Sequence, residues 1–307
     1  MSIKIINAGM LSTIQDGGRF GVMKYGFTQS GAMDSKAMST ANILVGNEPE
    51  CAVIETTLLG ITAEFTENTV IALSGGDFSA TINGTPIKRN KAYAVNAGDT
   101  LAMSYAKSGV RGYLAVSGGF DVPEVMGSRS TNLKSQIGGF FGRKLAAGDI
   151  INTFAPIITD TTDRELPEET YENSITLRAV LGPQDYMFTD EDIKSFFSCE
   201  YKITQQADRM GIRLDGEPLK GKGSMDIVSD GIVFGSVQVP KNGMPIILAA
   251  DRQTTGGYAK IATIISADRH LIAQARPGGT IKFAQVSIKE AQKIAKQEQK
   301  ALKKLKF

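Results

Sequence analysis

The apolar stretches of this chain are short, and glycine interrupts them at close intervals. The 307 residues include 33 glycines and no tryptophan. Residues 2–6, 69–73, 92–95, 100–105 and 110–116 are apolar runs of strand length. Asn83-Gly84, Gly98-Asp99 and Gly148-Asp149 punctuate them as turns. Asn83-Gly84 is the sharpest hairpin signal, because both residues accept positive φ. Three segments share one shape, a glycine turn feeding a strand: Asn96-Ala-Gly-Asp-Thr-Leu, Ala146-Ala-Gly-Asp-Ile-Ile and Arg276-Pro-Gly-Gly-Thr-Ile. A chain cut in this way makes many short strands, and such units suit small barrels.

Helical spacing occurs in three places. Asp34 is placed to N-cap a helix over 35–44, with Ala37, Met38, Ala41 and Leu44 apolar and Gly46-Asn47 as its stop. A short helix over 191–197 follows Thr189. Beyond Phe283, Ile288, Ala291, Ile294, Ala295, Ala301, Leu302 and Leu305 recur among lysines, which predicts a basic amphipathic helix over 286–307. Residues 287–307 carry seven lysines and two glutamates, so a chain of net charge +2 has a body near −3. That helix can dock on the body, on a partner or on a membrane surface, and its modest apolar bulk argues least for the last. Residues 159–173 are acidic, polar and nearly free of aliphatics, so they build little core. The expected organisation is a β-rich domain over 1–160, an acidic linker over 161–173, a second β domain over 174–285, and the basic helix over 286–307.

Several chemistries are excluded. His270 is the one histidine, and Cys51 and Cys199 form neither a metal spacing nor a redox pair, so no metal site is expected. No glycine string matches a dinucleotide or Walker pattern. Gly138-Gly-Phe-Phe-Gly-Arg143-Lys144 is either an anion-binding loop through Arg143 and Lys144 or a set of turn glycines. No apolar run approaches the ~18 residues of a membrane span. The N-terminus is too weakly apolar for a signal peptide, and the acidic body gives no case for binding nucleic acid. A cytoplasmic protein is the expectation.

Residues 231–258 concentrate the polar chemistry. The run 246–250 is wholly apolar and should be buried. It feeds Asp251-Arg252-Gln253-Thr254-Thr255-Gly256-Gly257-Tyr258, read as one polar loop. A loop at the end of a buried strand is well fixed, and glycines admit a ligand to the backbone. Gln253 suits an amide or a carboxylate, and the amides of Gly256 and Gly257 suit a developing oxyanion. The alternative is a tight turn whose Asp and Thr satisfy local backbone groups. Asp34 either caps its helix or joins a site. Arg209, in Ala207-Asp-Arg-Met-Gly211, either clamps an anion or pairs with a nearby acid.

In combination these segments resemble the KipA family, the C subunits of 5-oxoprolinase, which is similar to half of the carboxyltransferase domain of urea carboxylase and to allophanate hydrolase subunit 2. The resemblance runs from Asn7-Ala-Gly-Met-Leu-Ser-Thr-Ile-Gln-Asp-Gly-Gly-Arg19 through Ser30-Gly-Ala-Met-Asp34, Glu55-Thr-Thr57, Gly127-Ser-Arg-Ser-Thr131 and Gly235-Ser-Val-Gln-Val-Pro240. It is densest at 251–258 and Lys260-Ile-Ala-Thr263, and it ends at Phe283. The family often has proline where Gln29 stands and glutamate where Asp230 stands.

The resemblance implies a mainly β fold of two cyclophilin-like β-barrel domains with few short helices. It implies two partners, a KipI-like B subunit and a LamB/YcsF-like A subunit, and the three together open 5-oxo-L-proline to L-glutamate while hydrolysing ATP. ATP would be needed at the level of the complex. With no biotin-carboxylase region and no Ala-Met-Lys-Met motif, bound biotin is not expected. On this basis Asp251, Arg209 and Gln253 are the expected catalytic group. Asp34, Gln238, Thr254, Thr255, Gly256, Gly257 and Tyr258 are the expected substrate contacts. Two rival expectations are a carboxyltransferase component acting on a small amide with carboxybiotin, and a non-catalytic protein that binds a KipI-like regulator.

Overall fold

A computed structural model describes residues 1–305, which divide into two units. The first comprises Met1–Phe20 and Gln29–Tyr171, the second Gly21–Thr28 and Glu172–Lys304.

The first unit contains β1 (Ser2–Asn7), β2 (Leu11–Gln15), α1 (Ser35–Leu44), β3 (Val53–Thr57), β4 (Thr62–Phe65), β5 (Thr69–Asp77), β6 (Thr81–Ile82), β7 (Thr85–Pro86), β8 (Ala92–Val95), β9 (Thr100–Ala102), β10 (Ser108–Val116) and β11 (Ile150–Asn152). They form two sheets, ordered β11-β1-β4-β9-β6-β7 and β2-β3-β10-β5-β8. Side chains alternate along β5 and β10. Ile71, Leu73, Leu114 and Val116 enter one core with Ile3, Ile14, Phe65 and Leu101. Val70, Ala72, Tyr113 and Ala115 enter another, with Met38, Ala41 and Leu44 of α1. Strands buried on both faces favour apolar residues throughout, so 69–73 and 110–116 read as near-continuous runs, the second interrupted by the buried Arg111, which pairs with Glu55.

The hairpin turn lies between β6 and β7, with Asn83 at φ 50° and Gly84 at φ 79°. Asp34 caps α1, accepting from the Ala37 N–H at 2.9 Å. The strand expected over 100–105 stops at Ala102. Beyond it the Ser104 N–H turns to the Phe78 carbonyl and Tyr105 bridges Leu59.

Residues 161–171, expected as linker, run beside β8 in the first unit. The Ala92 N–H donates to the Arg164 carbonyl and the Leu166 N–H to that of Asn90. Lys88 and Lys91 pair with Glu165, Arg89 with Glu168, and Lys36 with Glu169. This mostly polar segment is held by backbone bonds and charge, with Leu166 packed against the core under α1. Its basic partners are distant in sequence.

The second unit contains β12 (Ser174–Leu181), α2 (Asp190–Ser198), β13 (Glu200–Ala207), β14 (Gly211–Asp215), β15 (Asp226–Gly231), β16 (Ser236–Val239), β17 (Ile246–Leu248), β18 (Thr255–Ile264), α3 (Arg269–Gln274), β19 (Thr280–Gln285) and α4 (Ile288–Lys304). The sheet order is β12-β19-β13-β14-β17-β16-β18-β15, and β12 also pairs with β18. That pairing closes the sheet into a barrel and leaves β15 as a strap held along one edge. Tyr201, Ile203, Ile212, Leu214, Val237, Ile247, Ile261 and Phe283 fill the interior. Phe196 of α2 stacks on Phe283, with ring centroids 4.3 Å apart.

The echoed glycine turn is built the same way each time. Gly98, Gly148 and Gly278 have φ of 88°, 89° and 87°, ahead of β9, β11 and β19. In the basic tail, Ala291, Ile294, Ala295 and Leu302 of α4 are half-buried, and α4 contacts Ser266–Asp268. Ile288 and Ala301, expected on the same stripe, are exposed. Lys306 and Phe307 of the expected helix lie outside the described residues. No described helix is long and apolar enough to cross a membrane.

Candidate functional site

The buried end of β17 fixes a polar corner in the second unit. Ile247, Ala249 and Ala250 are buried, and the chain turns at Asp251. The Asp251 N–H donates to the Arg209 carbonyl at 2.7 Å. Its carboxylate accepts from Arg209 Nε at 2.8 Å and Nη2 at 3.0 Å. The two side chains are only 7% and 11% exposed. This is the bidentate pairing for which a guanidinium is shaped, but the acceptor is the chain's own carboxylate. Arg209 thus takes up the alternative left open by the sequence, pairing with a nearby acid. Arg252 is buried as well, donating to the carbonyls of Ile232 and Ala249. Burial, and then the nearby Arg269, lower its pKa to about 10. Residues 21–28 belong to this corner too: Thr28 Oγ1 donates to the Ala250 carbonyl at 3.4 Å.

The polar segment 251–258 is not one loop. Only 251–254 is irregular, and Thr255 begins β18. Thr255 pairs with Gly231 and Gly256 with Asp230 of the strap β15. The sequence hid this because Asp226–Gly231 is polar and lacks strand alternation. A Cβ at Gly256 would lie 2.6 Å from Ile232 Cδ1 and 2.7 Å from Gln238 Nε2. A larger residue there would have to push the ends of these two side chains aside, and the backbone at 255–258 lies in a ladder rather than open to solvent. Gln253, Thr255 and Tyr258 are exposed and Thr254 is half-buried. Gln238 of β16 is buried, its amide donating to the Tyr258 carbonyl at 3.3 Å.

Lys260 was missed as a site residue. It lies opposite Gln238 across β16 and β18, with a side chain only 3% exposed. Its ammonium meets Asp230 Oδ2 at 2.6 Å and the Gly231 carbonyl at 3.2 Å. Gln184 adds a donor to the same carboxylate oxygen at 3.3 Å and accepts from the Lys260 N–H. The Lys260 ammonium, helped by the Gly231 N–H, holds the Asp230 carboxyl below its usual range. The available signal was a lysine inside the otherwise apolar run Ala259-Lys-Ile-Ala262. Gln184, Gln238 and Lys260 thus gather amides and one cation, a set suited to holding a small amide or carboxylate.

The other expected residues lie elsewhere. Asp34, in the first unit, is 1% exposed and serves as the α1 cap. Beneath it Glu55 accepts from the Met33 N–H and the Tyr113 hydroxyl, and that hydroxyl accepts from the Asp34 N–H. Burial, then the charges of Glu55 and Asp34, raise the Tyr113 pKa well above its usual value, so the phenol stays protonated as a donor. Arg143 spends its fork on Asp149, with both contacts at 2.7 Å, and lies over the Phe140 ring. Lys144 is exposed. The glycines nearby serve packing: a Cβ at Gly138 would meet Arg19 Nη2 at 2.0 Å. Among the described residues, no three His, Cys, Asp or Glu side chains converge to hold a metal ion.

Residues 25–285 match the family model of the carboxyltransferase domain, subdomain A and B. The chain is 40% identical to the 5-oxoprolinase C subunit of Haemophilus influenzae, over 97% of this chain and 95% of that protein. It is 39% identical to the 5-oxoprolinase C subunit of Escherichia coli, over 99% and 97%. The urea amidolyase of K. lactis superposes on 99% of the chain with a TM-score of 0.93 and 28% identity, and the matched part is 20% of that longer protein. The chain therefore belongs to the carboxyltransferase-domain family, subdomains A and B, together with the 5-oxoprolinase C subunits.

Proposed function

We propose that this chain is the C subunit of a 5-oxoprolinase that opens 5-oxo-L-proline to L-glutamate with hydrolysis of ATP. The observation that carries the reading is identity near 40% to two such proteins over almost the whole of both partners. The chemistry of the second unit is compatible with it. A lactam presents an amide and a carboxylate, and the corner offers Gln253, Gln238, Thr254 and Thr255 for the first and Lys260 for the second. The Arg209–Asp251 pair orients this corner. ATP would supply phosphorylation of the lactam oxygen, making the ring C–N bond easier to break. The chain's part is to hold the substrate and keep water away. The partners would be a KipI-like B subunit and a LamB/YcsF-like A subunit.

The test is reconstitution of the three proteins, with and without this chain, measuring glutamate and ADP. Turnover should require this chain, and Gln253→Ala should lower it about tenfold or more. Undiminished turnover in its absence would refute the reading. A second reading, carboxyl transfer to a small amide, draws on the close superposition with urea amidolyase. It requires a biotinylated partner, and ADP and glutamate formation without one excludes it.

A further inference from the structure

We propose that the Lys260 ammonium and the Gln184 amide form a binding site for the carboxylate of a small molecule, and that Asp230 fills this site until the ligand displaces it. The inference rests on the reading above only for the identity of the ligand.

The ion pair is lopsided. Lys260 is 3% exposed whereas its partner Asp230 is 52% exposed. Burying an ammonium carries a desolvation cost, and a solvated carboxylate offsets little of it. The same unit pairs Arg209 with Asp251 at 7% and 11% exposure, the geometry expected of a permanent tie. Asp230 also sits on the least anchored strand of the barrel. Among the described residues the strap β15 pairs only with β18, its register breaks between Asp226 and Asp230, and Val228 is 92% exposed. Lys260, by contrast, is fixed in β18 opposite Gln238 of β16, with its N–H bonded to the Gln184 side chain.

The surroundings of the carboxylate are a recognition set. Lys260 Nζ and Gln184 Nε2 both point to Asp230 Oδ2, at 2.6 and 3.3 Å. Gln238 reaches the same face from β16, where Gly256 leaves no side chain in the way. With Asp230 swung out, one cation and one amide donor face an incoming carboxylate, in the same charge-assisted arrangement that Asp230 now enjoys. Both 5-oxo-L-proline and L-glutamate carry such a group.

The full chain, titrated calorimetrically with 5-oxo-L-proline, L-glutamate and acetate, tests this. Removing the internal competitor with Asp230→Ala should tighten carboxylate binding about tenfold. Lys260→Met should abolish it in either background, and Gln184→Met should weaken it while the melting temperature shows the fold intact. Equal affinity in Asp230→Ala and the parent chain, or binding that survives Lys260→Met, would overturn the proposal. If acetate and glutamate obey this pattern and the reconstituted complex makes no glutamate, the site stands and the 5-oxoprolinase reading falls.

Discussion

Arg209 and Asp251 show how a residue pair that resembles catalytic equipment can be structural in its first duty. The two pair in a poorly solvated corner. Replacing one removes a bidentate ion pair from a poorly solvated site, so Asp251→Asn should cost about 3–5 kcal/mol. The double variant Arg209→Met/Asp251→Leu should recover most of that loss. Denaturant midpoints of the parent chain, the single variant and the double variant check it, and equal stability of the single and double variants would contradict it. Lost turnover in Asp251→Ala is therefore a poor measure of chemistry, and the exposed Gln253 is the cleaner probe. Gly256 is the converse case, a residue whose importance is volume. Gly256→Val should destabilise the second unit by about 1–3 kcal/mol through overpacking against Ile232 and Gln238, again read from denaturant unfolding.

Elements in this chain depend on their ends. The helix α2 begins with a capping box, in which Thr189 and Asp192 satisfy each other's backbone N–H groups. The Asp192 carboxylate also accepts from the Lys220 and Gly221 N–H groups at 2.9 and 3.0 Å. Burial works against its charge, but these donors prevail and its pKa lies below the usual value. The sign follows from that depression. The stabilisation is present above the ordinary aspartate range and is lost as pH falls through the lowered value. Asp192→Ala should cost about 2 kcal/mol at neutral pH, and the gap to the parent chain should close in acid. Unfolding curves of both proteins across that range decide it. Elements with local signals were legible: Asp34 as a cap, the short helix after Thr189, Asn83-Gly84 as a hairpin, and 69–73 and 110–116 as strands. The strap β15 was not. Its residues pair with Thr255, Gly256 and Tyr258, and nothing in its own pattern declares a strand.

At the scale of the whole molecule the chain is two units, with residues 21–28 belonging to the second. The tail helix α4 adds a half-buried stripe of four small or aliphatic residues. Deleting 287–307 should leave the remainder folded, at a cost of about 1–3 kcal/mol by buried apolar area, checked by comparing unfolding midpoints. A larger loss would mean that α4 is integral to the barrel. The sequence by itself determined the strand-rich class, the capped helices, the turns and, through motifs spread over the chain, the family. These features are local, set by periodicity, by φ preferences and by residue order. Only the tertiary structure decided that Arg209 belongs to Asp251, that Gly256 is a packing glycine, that residues 161–171 lie beside β8, and that Lys260 stands buried behind Asp230. Each of those facts joins residues far apart in sequence, and their partners are chosen by barrel closure and charge rather than by any neighbour in the chain.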